Sequence, residues 1–340
     1  MKKLFTIVLA ALCCAGMTAQ TGDISKYQKT ADIDYVGDNH TGHKLDIYYP
    51  EEDGKTKHPV VIHIYGSAWM MNNMKGSAEL NSVGVACLEA GYIYVTPNHR
   101  SYNDALFPAQ INDIKAVVRY LRGNAETLGI DTSFIAVSGF SSGGQLAALM
   151  GVTRGVREYT VGSVTMDIEG NLGSYTSERS WVDAVCVWSG MVDPRKKSCG
   201  EHETMDAENN LVGGCNDQQC PDKHALIAAN TYIDPTDAPT IIVHGSADNV
   251  VPYCEAKIFY DDLKASGVDA EIYQHSGAHE VKTDYLDEMV TFFNRIKATI
   301  SHEAIEQTAV KSNVDKFIRD GQLLLQLNGH TYNAQGVEIR

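Results

Sequence analysis

The sequence predicts an α/β fold in which a mostly parallel central sheet carries helices on both faces. Short apolar runs such as VVIHIY at 60–65 and DAVCVW at 183–188 predict strands, and segments of helical periodicity separate them. Alternating strands and helices with short connections are typical of parallel sheets that are covered on both faces. At 340 residues the chain is long enough to bury one large core.

The N-terminal half of the chain begins with two apolar runs, at 33–35 and 45–49. They flank a turn that contains Gly37 and predict an antiparallel pair of strands. Further strands are predicted at 60–65 and 92–96, and a helix between them at 80–90. Pro108 opens the next helix, in which apolar residues recur with a period near 3.6: Ile111, Ile114, Val117, Val118 and Leu121.

A strand, a sharp turn and a helix follow between residues 134 and 150, and the turn has the pattern G-x-S-x-G around Ser141. In such a turn the central serine adopts a strained backbone conformation that exposes its hydroxyl above the sheet. The glycines on either side let strand and helix approach closely. An ordinary loop can have the same composition, but the flanking strand and helix favour a nucleophile elbow with Ser141 as the nucleophile.

Two polar insertions interrupt the second half of the chain, at 151–180 and at 191–239. We expect both insertions to form a lid over Ser141. Strands are predicted at 183–188, 240–243 and 271–275, and helices at 255–265 and 285–300.

Two of these strand ends carry residues that could activate a serine. A serine hydroxyl is a weak nucleophile until an imidazole takes its proton, and a carboxylate orients that imidazole. Asp248 follows the strand at 240–243, and His279 follows the strand at 271–275. The order serine, acid, histidine is the one found with nucleophile elbows, and the carboxyl ends of parallel strands meet at one edge. We therefore predict Ser141, Asp248 and His279 as the catalytic residues.

Other roles remain open for these positions. Asp248 could be a turn or helix-capping residue, and His279 could be an exposed loop histidine. His63 lies inside a strand and is interpreted as a core histidine. The competing partners for the serine are Glu280, Asp193 and His275.

An acyl-transfer reaction also needs backbone N–H donors for a tetrahedral oxyanion. One donor is expected from Ser142, directly after the nucleophile. The other is expected from the loop at 66–69, where small residues let the backbone approach a ligand closely. Ser67 is the first choice in that loop and Ala68 the second.

The cysteines predict disulfides rather than a metal centre. Cys87 and Cys186 lie in apolar patterns and are interpreted as buried thiols. His202 and His224 flank the cysteine cluster, but paired C-x-x-C spacing is absent, so we expect no metal, and no cofactor is expected. One or two disulfides of undetermined pairing are expected among the remaining cysteines of the fold: Cys199, Cys215, Cys220 and Cys254.

The two ends of the chain do not belong to the predicted fold. Two lysines, an apolar stretch at 4–14 and small residues at 15–19 form the pattern of a secretory signal peptide, so residues 1–19 predict export. Lipid anchoring at Cys14 is an alternative that its preceding residues match poorly. The fold is expected at 20–305, followed at 306–340 by a linker and a β-hairpin with an Asn-Gly turn at 328–329.

The formal net charge of −15 argues against nucleic acid and anionic membranes as partners. Both need clustered Lys and Arg side chains. No other apolar run approaches the roughly 20 residues that a membrane-spanning helix needs. The sequence does not indicate an oligomeric state.

Six segments between about residue 44 and residue 297 match a known family. They are KLDIYYP, VVIHIYGSAW, PNHRSYNDALFPAQINDIKAVVRYLR, LGIDTSFIAVSGFSSGGQLAAL, IIVHGSADNVVP and the GAH at 277–279. In these segments the sequence resembles the carboxylesterase group of the α/β-hydrolases, close to the hormone-sensitive-lipase-like enzymes, which includes secreted carbohydrate acetyl esterases and feruloyl esterases. The resemblance implies that the nucleophile, acid and base of the group fall on Ser141, Asp248 and His279. One departure is the usual HGGGW motif, which reads YGSAW at 65–69 here, so the contacts of its histidine cannot be carried over.

The resemblance implies a serine esterase that removes acetyl or feruloyl groups from acylated plant cell-wall polysaccharide such as xylan. A serine peptidase of the same fold is the alternative, although the chain lacks repeats that would build a propeller. A non-catalytic binding protein would require a lost catalytic residue, and none is lost. The tail also resembles the short C-terminal tails of many proteins exported by type IX secretion, which raises sorting as a further hypothesis.

Overall fold

The computed structural model describes residues 22–193, 195, 199, 205–311, 314–319, 322–327, 330–333 and 338–339. The predicted signal peptide at 1–19 lies outside the described residues. The chain divides into two compact units, Met1–Phe293 and Asn294–Arg340.

The strands and helices alternate through most of the first unit, as predicted. The strands are β1 (Lys29–Asp34), β2 (Lys44–Tyr48), β3 (His58–Ile64), β4 (Ile93–Pro97), β5 (Ile130–Phe140), β6 (Glu158–Val161), β7 (Val164–Asp167), β8 (Ala184–Trp188), β9 (Thr240–Gly245), β10 (Ala270–His275), β11 (Val314–Arg319), β12 (Gln322–Leu327), β13 (His330–Asn333) and β14 (Glu338–Ile339). The α-helices are α1 (Val85–Glu89), α2 (Ala109–Gly123), α3 (Ala125–Leu128), α4 (Ser142–Val152), α5 (Asp206–Leu211), α6 (Pro221–Leu226), α7 (Tyr253–Ala265) and α8 (Leu286–Lys311).

The central sheet has eight strands in the order β1-β2-β4-β3-β5-β8-β9-β10. The six strands from β4 to β10 in this order run parallel, whereas β1 and β2 extend one edge in antiparallel pairing. The predictions of a mostly parallel sheet and of an initial antiparallel pair are therefore confirmed. The carboxyl ends of all six parallel strands meet at one edge, where ligand sites of such sheets lie.

Side chains alternate across β5 and divide the core into two layers. Phe134 packs against Phe293 near the start of α8, with ring centroids 6.3 Å apart. Ile135 and Val137 belong to an apolar cluster on the other face, which includes residues of α2 and α4 such as Ile114. A strand that is apolar on both sides is typical of a sheet covered by helices on both faces.

The helix predicted at 80–90 is built in two parts. A π-helical turn, Leu80–Gly84, precedes α1. Gly84 lies against the ring of Tyr94, where a Cβ would come within 2.9 Å of a ring carbon. The turn therefore requires a residue without a side chain at this close contact.

The first insertion, predicted as part of a lid without strands, contains the hairpin β6-β7. The prediction missed it because each strand has only four residues, which alternate between exposed and partly buried. The insertion begins after Val152, at the end of α4 that lies roughly 16 Å from Ser141 at 1.5 Å per residue. The second insertion begins directly after β8, beside the elbow. The expected lid over Ser141 therefore depends on the second insertion.

Buried ion pairs connect the first insertion to α2. The two carboxylate oxygens of Glu169 accept hydrogen bonds from Arg119 Nη1 at 2.6 Å and from Lys115 Nζ at 3.1 Å. Both cations are 1% exposed. Burial lowers the pKa of Lys115, and Glu169 counteracts this effect. One carboxylate thus compensates two positive charges that water cannot reach.

The second unit contains the C-terminal part of α8 and a four-stranded antiparallel sheet, β11-β12-β13-β14. The hairpin predicted around 328–329 corresponds to β12 and β13, and its turn residues lie outside the described residues. The tail thus has more strands than the single hairpin predicted. Residues 306–311, predicted as linker, belong to α8. Among the described residues, no helix is long and apolar enough to cross a membrane.

Replacing Glu169 by glutamine should destabilise the fold, because Lys115 and Arg119 would remain buried without a negative partner. Breaking a buried ion pair in this way costs about 3–5 kcal/mol. We expect the free energy of unfolding, measured by urea denaturation, to fall by about that amount. The matched control is Glu158→Gln on the same insertion, where the side chain is exposed and the change should stay within about 0.5 kcal/mol. Equal stability of the two variants would contradict this assignment.

Candidate active site

The predicted nucleophile elbow is present between β5 and α4. Ser141 has φ 55° and ψ −120°, a conformation that residues with a Cβ rarely adopt. Its N–H donates a hydrogen bond to the carbonyl of Trp188 in β8 at 2.9 Å. The neighbouring strand thus helps to hold the strained turn, as the surroundings of a strained residue must.

Glycine is required at two positions of the elbow. A Cβ on Gly139 would lie 2.1 Å from the carbonyl oxygen of Gly143. A Cβ on Gly143 would lie 2.1 Å from the carbonyl oxygen of Ile64 in β3. Because both obstacles are backbone atoms of packed elements, no side chain can be accommodated there.

The structure brings Ser141, His279 and Asp248 into one hydrogen-bonded line. His279 Nε2 lies 2.9 Å from Ser141 Oγ, and His279 Nδ1 lies 2.8 Å from Asp248 Oδ2. The imidazole packs against the ring of Phe140 with centroids 4.8 Å apart. Only 14% of the His279 side chain is exposed, which argues against a free loop histidine.

The two carboxylate oxygens of Asp248 have different partners. Oδ1 accepts from the N–H groups of Val250 and Val251, each at 2.8 Å. Oδ2 faces His279. The turn role considered as an alternative is therefore present, and it coexists with the histidine contact. Burial alone would raise the pKa of Asp248, but hydrogen bonds from His244, His279 and Val251 outweigh it and hold that pKa well below its ordinary value.

His244 is a contact of the acid that the sequence reasoning missed. Its Nε2 lies 3.3 Å from Asp248 Oδ2 and 2.8 Å from the carbonyl oxygen of Val251. Both partners are acceptors, so Nε2 carries the proton in this arrangement. The available signal was the spacing of His244 and Asp248, four residues apart across the end of β9.

The other histidines and carboxylates considered as partners of Ser141 form hydrogen bonds with other residues. His63 is fully buried in β3, between Ser138 Oγ at 3.0 Å and Glu79 Oε2 at 2.8 Å, and its interpretation as a core histidine is confirmed. Asp193 accepts a hydrogen bond from the Arg195 side chain, and His275 Nδ1 accepts one from the Gly277 N–H. The backbone carbonyl of Glu280 accepts from the Ser189 hydroxyl.

The predicted oxyanion donors lie on two elements beside the nucleophile. Ser142 begins α4, and its N–H belongs to the first turn, which has no intrahelical acceptor. The other element is residues 66–71, called the oxyanion loop below. The Ser67 N–H, first choice from the sequence, donates to Ser142 Oγ at 2.9 Å. The Ala68 N–H has no hydrogen-bond partner among the described residues, so the geometry favours Ala68 over Ser67.

Tyr65 replaces the histidine of the HGGGW motif and makes its own contact with the oxyanion loop. Its hydroxyl donates to the carbonyl of Met71 at 3.0 Å. Its ring stacks on His99 with centroids 4.9 Å apart and planes 16° apart. Gly66 next to it lies against the nucleophile, because a Cβ there would come within 2.8 Å of Ser141 Cβ.

The cysteine cluster forms two disulfides, Cys199 with Cys254 and Cys215 with Cys220. Cys87 and Cys186 are buried free thiols, as predicted. His224, considered as a zinc ligand, has its Nε2 2.9 Å from the carbonyl oxygen of Cys215, whereas His202 lies outside the described residues. In the part of the chain that the structure describes, no group of His, Cys, Asp and Glu side chains could hold a metal ion.

Comparison with known proteins identifies related chains. A family model described as BD-FAE matches residues 45–263. Esterase LipC of Mycobacterium tuberculosis is 30% identical over 231 residues, which are 65% of this chain and 52% of LipC. This chain spans about half the length of the first curated relatives that it matches.

Solved structures show the same fold. A bifunctional GH43-CE from Bacteroides eggerthii is 44% identical with a TM-score of 0.75, covering 79% of this chain and 35% of that one. A truncated carbohydrate esterase from gut microbiota is 38% identical with a TM-score of 0.76, covering 83% and 99%. Thermogutta terrifontis esterase Est2 is 19% identical with a TM-score of 0.56, covering 84% and 95%, and it supports the fold alone. The expected α/β-hydrolase fold is confirmed.

Acid should destabilise the protein partly through Asp248. Because the folded pKa of Asp248 lies below its unfolded value, its stabilising contribution is present above about pH 3.9 and is lost as the pH falls toward the folded pKa. We expect Asp248→Asn to show a shallower fall in unfolding free energy between about pH 4 and 2. Urea denaturation at several pH values measures this slope. The exposed Asp287→Asn is the control, and equal slopes for the two variants would contradict the assignment.

Proposed function

The chain belongs to the BD-FAE family of α/β-hydrolase esterases, and from this premise we propose that it is a serine carboxylic ester hydrolase of acylated plant cell-wall polysaccharide. Acetyl is the first candidate for the acyl group and feruloyl is the second. Xylan is a suitable polysaccharide. The observation that carries this proposal is the hydrogen-bonded line from Ser141 through His279 to Asp248.

The first half of the proposed reaction forms an acyl-enzyme. His279 Nε2 takes the proton of Ser141 Oγ as this oxygen attacks the ester carbonyl carbon. Asp248 holds the proton on His279 Nδ1 and stabilises the imidazolium that forms. Because hydrogen bonds keep Asp248 ionised in its buried position, it is already charged when this positive charge develops.

The negative charge of the tetrahedral intermediate falls on the former carbonyl oxygen. The Ser142 N–H and the Ala68 N–H are the proposed donors to it. Backbone donors fixed in advance stabilise developing charge without reorganisation, and each such donor contributes about 10²- to 10³-fold in rate.

Collapse of this intermediate completes the first half: His279 donates its Nε2 proton to the sugar oxygen, which leaves as the ester C–O bond breaks, and the acyl-enzyme remains. The second half of the reaction releases the acid and restores the enzyme. A water molecule then attacks the acyl carbon while His279 takes one of its protons, and the same proton returns to Ser141 Oγ as the carboxylic acid departs. Water is the co-substrate, and the scheme needs no cofactor.

Similarity to carbohydrate esterases supports the choice of substrate. The two most similar solved chains quoted above are a carbohydrate esterase and a bifunctional GH43-CE, at 38% and 44% identity. Among the described residues, the exposed large apolar side chains are Met70, Met71 and Leu106. Met70 and Met71 end the oxyanion loop, whose Gly66 lies against Ser141, and exposed apolar side chains on this loop suit a substrate with a flat apolar face. Both a sugar ring and a feruloyl group present such a face.

The proposed function includes export, since polysaccharide of the plant cell wall lies outside the cell. The N-terminal pattern at 1–19 supports export. Two disulfides also suit an oxidising compartment, because the cytosol keeps thiols reduced.

The substrate prediction is tested by release of acetate and ferulate from one sample of acetylated, feruloylated arabinoxylan. We expect acetate from the wild-type protein. Ser141→Ala should lower the turnover number by about 10⁴-fold or more, because the three residues act as a unit. Ferulate release in addition would show that the active site accepts an aromatic acyl group.

The control for this assay is a set of short peptide anilides. A wild-type protein that cleaves these anilides and releases neither acid from the polysaccharide would overturn the esterase proposal in favour of the peptidase. Substantial ester hydrolysis by Ser141→Ala would overturn the nucleophile assignment.

The proposed export predicts where the mature protein begins and how many free thiols it contains. Expressed with its own N-terminus in a bacterial host, the protein should be recovered outside the cytoplasm and should begin near residue 20. Under denaturing conditions without reductant it should show only the thiols of Cys87 and Cys186. Recovery in the cytoplasm with Met1 intact would contradict export.

A further inference from the structure

We propose that Gln145 is a positioning residue that holds the oxyanion loop in its working conformation and links it to the second insertion. The inference rests on the proposed function, because it concerns the N–H donor that Ala68 would offer to the oxyanion. Gln145 is not a catalytic residue in this proposal, since it acts through Trp69.

The oxyanion loop has a backbone that needs support from outside. Ala68 has φ 49° and Trp69 has φ 55°, so two consecutive residues with side chains lie in the left-handed region. This region is unfavourable for L-residues and is normally visited by single residues, most often glycine. Such a conformation persists only where surrounding contacts determine it. The direction of the Ala68 N–H therefore depends on those contacts.

Four hydrogen bonds hold the backbone of the loop. One lies within it, from the Met70 N–H to the carbonyl of Ser67 at 3.0 Å, and the other three come from neighbouring residues. The Ser67 N–H donates to Ser142 Oγ at 2.9 Å. The Tyr65 hydroxyl donates to the carbonyl of Met71 at 3.0 Å, and the Tyr102 N–H donates to the carbonyl of Trp69 at 2.9 Å. These contacts hold the backbone on both sides of Ala68. The side chain of Trp69, directly after Ala68, is a further point of attachment.

Gln145 fixes that side chain with both atoms of its amide. Its Oε1 accepts from Trp69 Nε1 at 3.2 Å, and its Nε2 donates to the carbonyl of Ile227 at 2.7 Å. A flipped amide would oppose donor to donor and acceptor to acceptor, so the two partners allow a single orientation. Trp69 is 2% exposed and Gln145 is 1% exposed, so water cannot replace a lost bond. A buried donor without an acceptor is costly, and the ring would move to relieve it.

The position of Gln145 makes this contact relevant to catalysis. Its N–H donates to the carbonyl of Ser141 at 3.0 Å, one helical turn below the nucleophile. Ile227 belongs to the second insertion, which begins beside the elbow. One side chain therefore connects the nucleophile turn, the oxyanion loop and that insertion. Because an oxyanion donor acts mainly in the transition state, its displacement should lower kcat more than it changes KM.

The test uses Gln145→Met, which removes both hydrogen bonds at similar side-chain length. With p-nitrophenyl acetate and titrated active sites, we expect kcat to fall by about tenfold to hundredfold and KM to change by less than about threefold. The pH profile of kcat/KM should be unchanged, because His279 and Asp248 stay paired. The inhibition constant of a trifluoromethyl ketone, which forms an oxyanion on Ser141, should rise by the factor that kcat/KM loses.

A second variant and a matched control make the result specific. Trp69→Phe keeps an aromatic ring without Nε1–H, so it should lower kcat similarly, and the double variant should lose no more than the larger single loss. Gln110 is the control, because it is also buried and its Nε2 donates to the carbonyl of Ala105 at 2.7 Å. Gln110→Met should keep kcat within about twofold.

Several outcomes would overturn the positioning role. They are a normal kcat and inhibitor affinity in folded Gln145→Met, an equal loss in Gln110→Met, or additive losses in the double variant. If Gln145→Met does not fold, Trp69→Phe tests the positioning role, because it should also lower kcat with little change in KM. Failure of the proposed function is distinguishable, because the wild-type protein would not hydrolyse the ester or Ser141→Ala would retain its activity.

Discussion

Ser141 occupies a backbone conformation that few residues with side chains adopt, and the packing of β5 against α4 leaves it no alternative. The glycines on either side lie so close to neighbouring backbone that even a Cβ would clash. A strained residue costs about 1–3 kcal/mol. Burial of a single large apolar side chain contributes about 1.5–3 kcal/mol, and α4 buries Leu146 and Leu149 completely. The core therefore outweighs the strain, and Ser141 remains partly accessible while the helix that follows it is buried.

A second constraint is the charge of Asp248, which burial opposes. Glu208 shows what burial does when donors are few. It is fully buried, its side chain accepts from the Met205 N–H, and burial raises its pKa to about 8. Asp248 is also buried, yet it accepts from two backbone N–H groups and faces two histidines, which lower its pKa instead. The number and direction of donors, rather than depth, decide which carboxyl is ionised. A carboxylate that must stabilise an imidazolium needs the second environment.

The sequence predicted those parts of the molecule that local pattern determines. Strands with continuous apolar runs were located within a few residues, and Asp248 and His279 could be selected because both follow predicted strands. The short strands of the hairpin β6-β7 and the extra strands of the tail lack a continuous apolar run. The contact of His244 with Asp248 and the hydrogen bond from Ser67 to Ser142 Oγ depend on how distant segments fold together. Residue type and spacing therefore indicated which loop supplies an oxyanion donor, whereas only tertiary contacts distinguish Ala68 from Ser67.

The oxyanion loop has Tyr65, Ser67 and Ala68 where the HGGGW motif of the group that the sequence resembles has histidine and glycines. Glycines make a left-handed turn inexpensive, so a loop built from them needs little external support. Ser67 and Ala68 do not offer that freedom, and the loop is fixed instead by contacts to Tyr65, Ser142 and Gln145. These contacts come from the residue directly after β3, from α4 and, through Ile227, from the second insertion. The insertion can therefore influence the oxyanion donors without touching the reacting atoms. A loop held in this way has less freedom to relax than a glycine loop, and its geometry depends on the folding of a segment far away in the sequence.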